Sequence, residues 1–162
     1  MAGATVIVNA APIGTTFKTG GAIWVGATAR RIQLYEAEFS QAGTLSSTDC
    51  QEQWDLSRFS VTASMAGAAF VPQLLDPADA SPLTQAMNLF TTEPTYTGAG
   101  SGLFLKSWAI NQRGSYRWRC LDDGDNILVP AVALSGLGLR SLCSVGSAFA
   151  ASGVGNMSFI ER

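Results

Sequence analysis

The chain contains no histidine among its 162 residues, and lysine occurs only at Lys18 and Lys106. Histidine is the usual general base near neutral pH and the commonest protein ligand of transition metals. Its absence excludes Ser-His-Asp and Cys-His catalysis, and it excludes zinc, copper or non-haem iron sites built on imidazole. The sequence therefore predicts no enzyme of these classes, no bound metal and no cofactor.

Charge is also scarce, because only 14% of the residues are charged, whereas soluble domains average about 25%. A surface so poor in charge must consist of small polar and apolar residues, or it must be covered in part by other protein. The net charge of -2 gives no electrostatic attraction to nucleic acid or to an anionic membrane. We therefore expect protein partners, with no nucleic acid and no membrane among them.

The three cysteines, Cys50, Cys120 and Cys143, are few and widely spaced. An odd number without a C-x-x-C pair indicates neither a disulfide framework nor a metal or redox motif. Cys120 lies on the apolar face of an alternating segment, which favours a buried small hydrophobic residue.

The acidic segment 122–126 carries oxygen ligands that suit calcium, but Asp-Gly is typical of a hairpin turn and no EF-hand glutamate follows. We interpret this segment as a structural turn.

Residues 1–28 differ from the rest, because they are small and nearly uncharged, with Lys18 as their first charged residue. They lack the basic segment of a signal peptide, and no apolar run in the chain reaches the roughly 20 residues of a membrane span. Their bulky apolar residues are Ile7, Ile13, Phe17 and Trp24. Disordered tails are normally poor in such residues. We interpret residues 1–28 as an extended arm that reaches another protein; the alternative is an ordinary first strand with a disordered tail.

Residues 29–162 show the pattern of strands and turns. Segment 115–121 alternates strictly, with Tyr116, Trp118 and Cys120 on one face and Arg117 and Arg119 on the other. Together with segment 103–110 and the polar reversal between them, it predicts a hairpin. Further strands are predicted at 31–41, 54–63, 127–129, 136–142 and 154–161, and a short helical turn at 76–79 or 81–88. The pattern predicts an all-β, antiparallel β-sandwich or jelly-roll-like domain.

Three groups of residues could carry a function. The first group is Arg113, Arg117 and Arg119, which lie beside Trp108, Tyr116 and Trp118. Arginines beside aromatic residues can bind nucleic acid or protein, and the negative net charge of the chain favours a protein partner. Glu36 and Glu38 could act as an acid–base pair, but without a cleft they are better explained as a solvated or subunit-facing edge. Gly136 and Gly138 lack the strand–helix context of a dinucleotide site. The predicted contact residues are Ile7, Phe17, Trp24, Arg113, Arg117 and Arg119.

Six short motifs follow one another along residues 30–162. They are YEAEF at 35–39, LDPAD at 75–79, TEPTY at 92–96, NQRG with RW at 111–118, ILVPA at 127–131 and GLGL at 136–139. In this order the motifs resemble small virion structural proteins of tailed bacteriophages, including phages of cyanobacteria. In such phages a protein of this size often serves as a capsid cement or decoration protein.

The resemblance implies a structural protein made in the host cytoplasm and located on the outer capsid surface. It implies the major capsid protein as partner and a homotrimer at three-fold positions of the shell. No catalytic residue is implied, so we expect no enzyme. Two alternatives remain open: a tail or receptor-binding β-module that recognises a host-surface ligand, and an enzyme that uses only carboxylates, such as a glycosidase.

Overall fold

The computed structural model describes residues 3–12, 14–26, 30–44, 49–60, 65–96, 104–121, 125–143 and 150–162. The described part forms thirteen strands and contains no α-helix. The strands are β1 (Gly3–Pro12), β2 (Lys18–Trp24), β3 (Ile32–Thr44), β4 (Gln51–Ser60), β5 (Ala66–Phe70), β6 (Gln73–Leu74), β7 (Gln85–Thr92), β8 (Thr95–Tyr96), β9 (Lys106–Asn111), β10 (Tyr116–Arg119), β11 (Ile127–Val129), β12 (Ser135–Cys143) and β13 (Ala150–Glu161).

The strands form two antiparallel sheets that pack face to face. The first sheet has the order β10-β3-β13-β1-β6, with β11 also paired to β3. The second has the order β5-β7-β2-β12-β4-β8, with β9 also paired to β4. The predicted all-β sandwich is confirmed.

The core lies between the sheets, and a β-bulge at Tyr35 determines how β3 contributes to it. Ser158 of β13 lies opposite Glu36 and Phe159 lies opposite Leu34, so Tyr35 is the extra residue. A bulge reverses which side of the strand faces the partner sheet. Ile32 and Leu34 before it, and Ala37 and Phe39 after it, all enter the main core. This explains why the sequence of β3 is apolar on both faces at its start.

The outer face of the second sheet carries a smaller apolar cluster. Trp24, Phe59 and Tyr96 are buried in it, and Met65, Met87 and Phe90 pack against them. Two glycines of β12 make the space. A β-carbon at Gly136 would lie 2.6 Å from the Phe59 ring, and one at Gly138 would lie 2.3 Å from the Tyr96 hydroxyl. The GLGL motif is therefore a close-packing motif that lets two aromatic rings approach the backbone of β12 closely.

The predicted hairpin at 103–121 is wrong in its pairing. Its two arms form strands, but β9 pairs with β4 in the second sheet, while β10 pairs with β3 in the first. The turn itself is tight, since the Gly114 N–H donates to the Asn111 carbonyl at 2.9 Å and the Arg113 N–H donates to the Asn111 side-chain oxygen at 2.9 Å. The chain thus crosses from one sheet to the other. Across this crossing the rings of Trp108 and Trp118 lie 6.3 Å apart.

The interpretation of residues 1–28 as an arm outside the sandwich is corrected by the structure. β1 lies inside the first sheet between β13 and β6, and β2 lies inside the second sheet between β12 and β7. Val6, Val8 and Ile23 belong to the main core. Of the apolar residues that suggested an arm, Trp24 is buried, Phe17 is half-buried and Ile7 is exposed, while Ile13 lies outside the described residues. The strands of this segment are integral parts of the sandwich.

The predicted helical turn is also absent from its two expected places. At 76–79 the Asp79 N–H donates to the Asp76 carbonyl and the Ala78 N–H donates to the Asp76 carboxylate, which is an isolated turn. Segment 81–88 leads instead into β7.

Two further predictions concern single sites. Cys120, predicted to be buried, is only half-buried. The acidic turn at 122–126 includes residues 122–124, which lie outside the described residues.

Candidate interaction surfaces

One side of the sandwich is built without charge. β1 and β6 border the first sheet there, and β5 and β7 border the second. None of these four strands contains Asp, Glu, Lys or Arg. From residue 59 to residue 92 the only charged residues are Asp76 and Asp79. We call this side, formed by β1, β5, β6 and β7, the uncharged side.

Large apolar side chains are exposed on the uncharged side and its adjoining loops. They are Ile7 at 56%, Val71 at 64%, Leu75 at 56%, Leu83 at 40% and Leu89 at 44% exposure. Two grooves of about 520 and 330 Å³ flank Phe70 and Val71, which line both. Exposed apolar surface of this kind marks contact sites for other proteins or ligands.

The edge strand β5 adds free backbone groups to this side. Among the described strands it pairs with β7 alone, so its other edge offers N–H and C=O groups outside this sheet pairing. Edge strands are normally protected by charged residues or proline, but β5 has the sequence AGAAF. Between the sheets, the Asn88 side-chain amide donates to the Ile7 carbonyl at 3.3 Å and joins β7 to β1. The uncharged side therefore presents a preformed strand edge beside apolar grooves.

The opposite side of the sandwich carries aromatic and charged residues, and we call it the aromatic–arginine side. Its members are Trp108, Tyr116, Trp118, Arg113, Arg117 and Arg119. Trp108 and Tyr116 close the space between the sheets, with ring centroids 6.0 Å apart. Tyr116 is 40% exposed and Trp118 is half-buried, whereas the sequence predicted buried rings. Both residues belong to β10, an edge strand of the first sheet, and this position explains the difference.

Two of the three predicted contact arginines are engaged within the chain. The Arg117 guanidinium binds the Glu36 carboxylate at 2.7 Å, and Arg119 approaches the same oxygen at 3.8 Å. This pairing raises the pKa of Arg117. Both arginines remain more than half exposed, so they can still contact a partner. Arg113 is exposed at the turn between β9 and β10.

The three predicted contact residues of the N-terminal segment have different surroundings. Ile7 is exposed on the uncharged side. Trp24 is only 5% exposed, and its indole N–H donates to the Gln85 side chain at 2.8 Å. It lines the larger of the two grooves on the uncharged side. Phe17 is half-buried and packs under the Arg140 guanidinium, whose carbon lies 4.4 Å from the ring centroid.

The TEPTY motif is explained by a polar network on the outer face of the second sheet. The Thr19 N–H donates to both oxygens of the Glu93 carboxylate, and the Thr19 hydroxyl hydrogen-bonds Glu93 and the Tyr96 hydroxyl. The Arg140 guanidinium lies 4.3 Å from the centroid of the Tyr96 ring. Burial raises the pKa of the Tyr96 hydroxyl. The network fixes β8 against β2 and β12, which is a structural role.

The core contains a buried carboxylate that the sequence analysis did not identify. Glu52 is fully buried, and one of its carboxylate oxygens accepts a hydrogen bond from the Trp54 indole at 3.0 Å. The other oxygen finds no hydrogen-bond partner within the described residues. Burial raises the pKa of Glu52 from 4.5 to about 7. Alternation along β4 places Cys50, Glu52 and Trp54 on one face, and this is the signal that could have located the group.

Comparison with known proteins gives no relative, since no family model, curated protein or solved structure matches the chain. Within the described ranges there is no cluster of three potential metal ligands among His, Cys, Asp and Glu side chains. In the same part of the chain, no helix has the length and apolar character needed to cross a membrane. The surfaces described above are therefore the basis for a functional proposal.

Proposed function

We propose that this protein is a non-catalytic assembly protein of a bacteriophage virion that binds the outside of the capsid and reinforces it. The observation that carries the proposal is the uncharged side, where four neighbouring strands lack any charged residue while apolar side chains stay exposed. A monomer gains nothing from such a side, because it promotes aggregation. A protein that is permanently covered by a partner gains binding energy from it. The phage setting comes from the sequence motifs.

The grooves suit reinforcement of a protein shell. A partner strand can add to the free edge of β5 while its side chains enter the grooves beside Phe70 and Val71. Several copies on one shell then raise the free energy of opening it, because the added contacts exist only in the assembled state. The major capsid protein is the partner in this proposal.

The proposal includes a homotrimer. A chain of 17.0 kDa would then sediment and scatter light as a particle of about three times that mass. Mass measurement by light scattering at several concentrations tests this part separately. If the protein is a stable monomer that still binds capsids, the proposed homotrimer is wrong and the proposed capsid binding is unaffected.

The test of capsid binding compares two matched substitutions on exposed alanines of edge strands. Ala68→Lys places a charge on the uncharged side, and Ala109→Lys places the same charge on β9. Capsids purified without this protein are mixed with each variant and sedimented. We expect Ala68→Lys to bind at least about tenfold more weakly than wild type, because burial of an unpaired charge is unfavourable. Ala109→Lys should bind like wild type. Equal binding by both variants, or no capsid binding by wild type, overturns the proposal.

A second candidate function has its own observation. Tyr116 is 40% exposed and lies beside Trp108 and Trp118, within reach of exposed arginines. Aromatic rings with flanking cations favour ligand recognition as well as protein contacts. A receptor-binding module would use this side. Binding on a glycan array that disappears in Trp118→Ala would support it, whereas an array without signal removes it.

A further inference from the structure

The fold brings together two cysteines that lie far apart in the sequence. Cys50 directly precedes β4, and Cys143 is the last residue of β12. β4 and β12 are antiparallel neighbours, and Cys143 lies opposite Glu52, two residues from Cys50. The two cysteines form a buried cluster of their own, with Cys50 5% and Cys143 1% exposed.

The backbone holds both residues in place. The Cys143 N–H donates to the Gly14 carbonyl at 2.9 Å, and the Gln112 N–H donates to the Cys50 carbonyl at 3.1 Å. Cys50 and Cys143 are therefore diagonal neighbours on one face of the β4–β12 pair, with their backbone positions fixed. No disulfide joins the two residues in this structure. Cys120 lies elsewhere, next to β10, where its N–H donates to the Tyr35 carbonyl.

We propose that Cys50 and Cys143 are a disulfide site, which closes when the protein meets a small-molecule disulfide such as oxidised glutathione. One thiolate attacks the oxidised glutathione, forms a mixed disulfide and releases one reduced glutathione. The thiolate of the other cysteine then attacks the mixed disulfide. This step forms the Cys50–Cys143 bond and releases the second molecule of reduced glutathione. Each cysteine loses one proton, and the two electrons reduce the oxidant. A reducing cytosol keeps the pair open.

Burial controls the rate of this reaction. Burial and the neighbouring Cys143 raise the pKa of Cys50 to about 12, so little thiolate forms in the folded protein. The oxidant also needs access to a buried sulfur. We therefore expect closure to be slow in the native protein and fast during refolding, when the strand ends are open. The disulfide would close a loop of the chain from residue 50 to residue 143. So long a closed loop strongly lowers the conformational entropy of the unfolded chain.

The experiment refolds the full chain from denaturant in a buffer of reduced and oxidised glutathione, followed by peptide mass mapping without reduction. We expect one linked peptide pair, Cys50 with Cys143, in wild type and in Cys120→Ser. Closure should raise the melting temperature by on the order of 10 °C. Cys143→Ser and Cys50→Ala should show neither the link nor the shift. No linked pair, an equal share of links to Cys120, or a linked protein without a higher melting temperature overturns the proposal.

Discussion

Phe39 of the first sheet and Trp54 of the second stack across the core, with ring centroids 5.0 Å apart and planes inclined by 22°. Both residues are fully buried. A β-carbon at Gly153 would lie 2.5 Å from the Trp54 ring, so this glycine of β13 makes room for it. The stack joins β3 of the first sheet to β4 of the second.

The first prediction concerns this stack. Phe39→Ala should lower the free energy of unfolding by about 3–5 kcal/mol, since it leaves a cavity between the sheets. Trp118→Ala, at the half-buried edge, should cost less, about 1–2 kcal/mol. Urea denaturation followed by fluorescence measures both. Equal losses for the two variants would contradict the placement of the core.

The second prediction concerns the N-terminal strands. Deletion of residues 1–28 removes β1 and β2, each of which lies between two other strands of its sheet. The truncated chain should fail to fold, as shown by loss of near-ultraviolet circular dichroism and of a cooperative melting transition. Ile7→Ser, at an exposed position of the same segment, is the control and should melt within a few degrees of wild type. A folded truncation would restore the interpretation of residues 1–28 as an arm.

The third prediction concerns pH. The pKa of Glu52 is about 7 in the folded protein and about 4.5 when unfolded, so the folded state binds the proton more tightly. Its contribution to stability is fully present below about pH 4.5 and is lost as the pH rises through 7. Glu52→Gln keeps an oxygen for the Trp54 indole and removes the ionisation. Between pH 5 and pH 8, wild type should lose on the order of 2 kcal/mol relative to this variant. Parallel stability curves would show that Glu52 ionises freely in the fold.

The fourth prediction concerns the glycine motif of β12. Gly138→Ala places a methyl group 2.3 Å from the Tyr96 hydroxyl, so the ring must move and the Thr19 hydrogen bond should be lost. We expect a loss of about 1–3 kcal/mol. Gly14→Ala is the control, because no atom lies within 4 Å of its β-carbon. If Gly138→Ala melts like the control, the ring does not occupy this position.

The sequence predicts the fold class and several strands because alternation reports which face of a strand is buried. The faces of β10 are as predicted, with Trp118 opposite Ala37 and Arg117 opposite Glu38. Alternation does not report which sheet a strand joins. That is why β9 and β10 read as a hairpin although they pair with different sheets.

The strands that the sequence does not predict lack the alternation of apolar and polar residues, and each has a physical reason. β2 is buried on both faces after Lys18, because the main core lies on one side and the Trp24 cluster on the other. A strand buried on both faces shows no alternation. β5 and β7 lack charged residues that would mark an outer face, and the same feature makes their side a candidate contact surface. The contact of Cys50 with Cys143 depends on the pairing of β4 with β12, which no local pattern specifies.

The most direct measurement for the proposed function is a density map of the phage particle to which the proposal assigns this chain. The map should place the protein on the outer capsid surface, with β1, β5, β6 and β7 covered by capsid protein or by a second copy. The aromatic–arginine side should then face solvent or a neighbouring copy. A map in which the uncharged side faces solvent, or a particle that lacks the protein, would contradict the account.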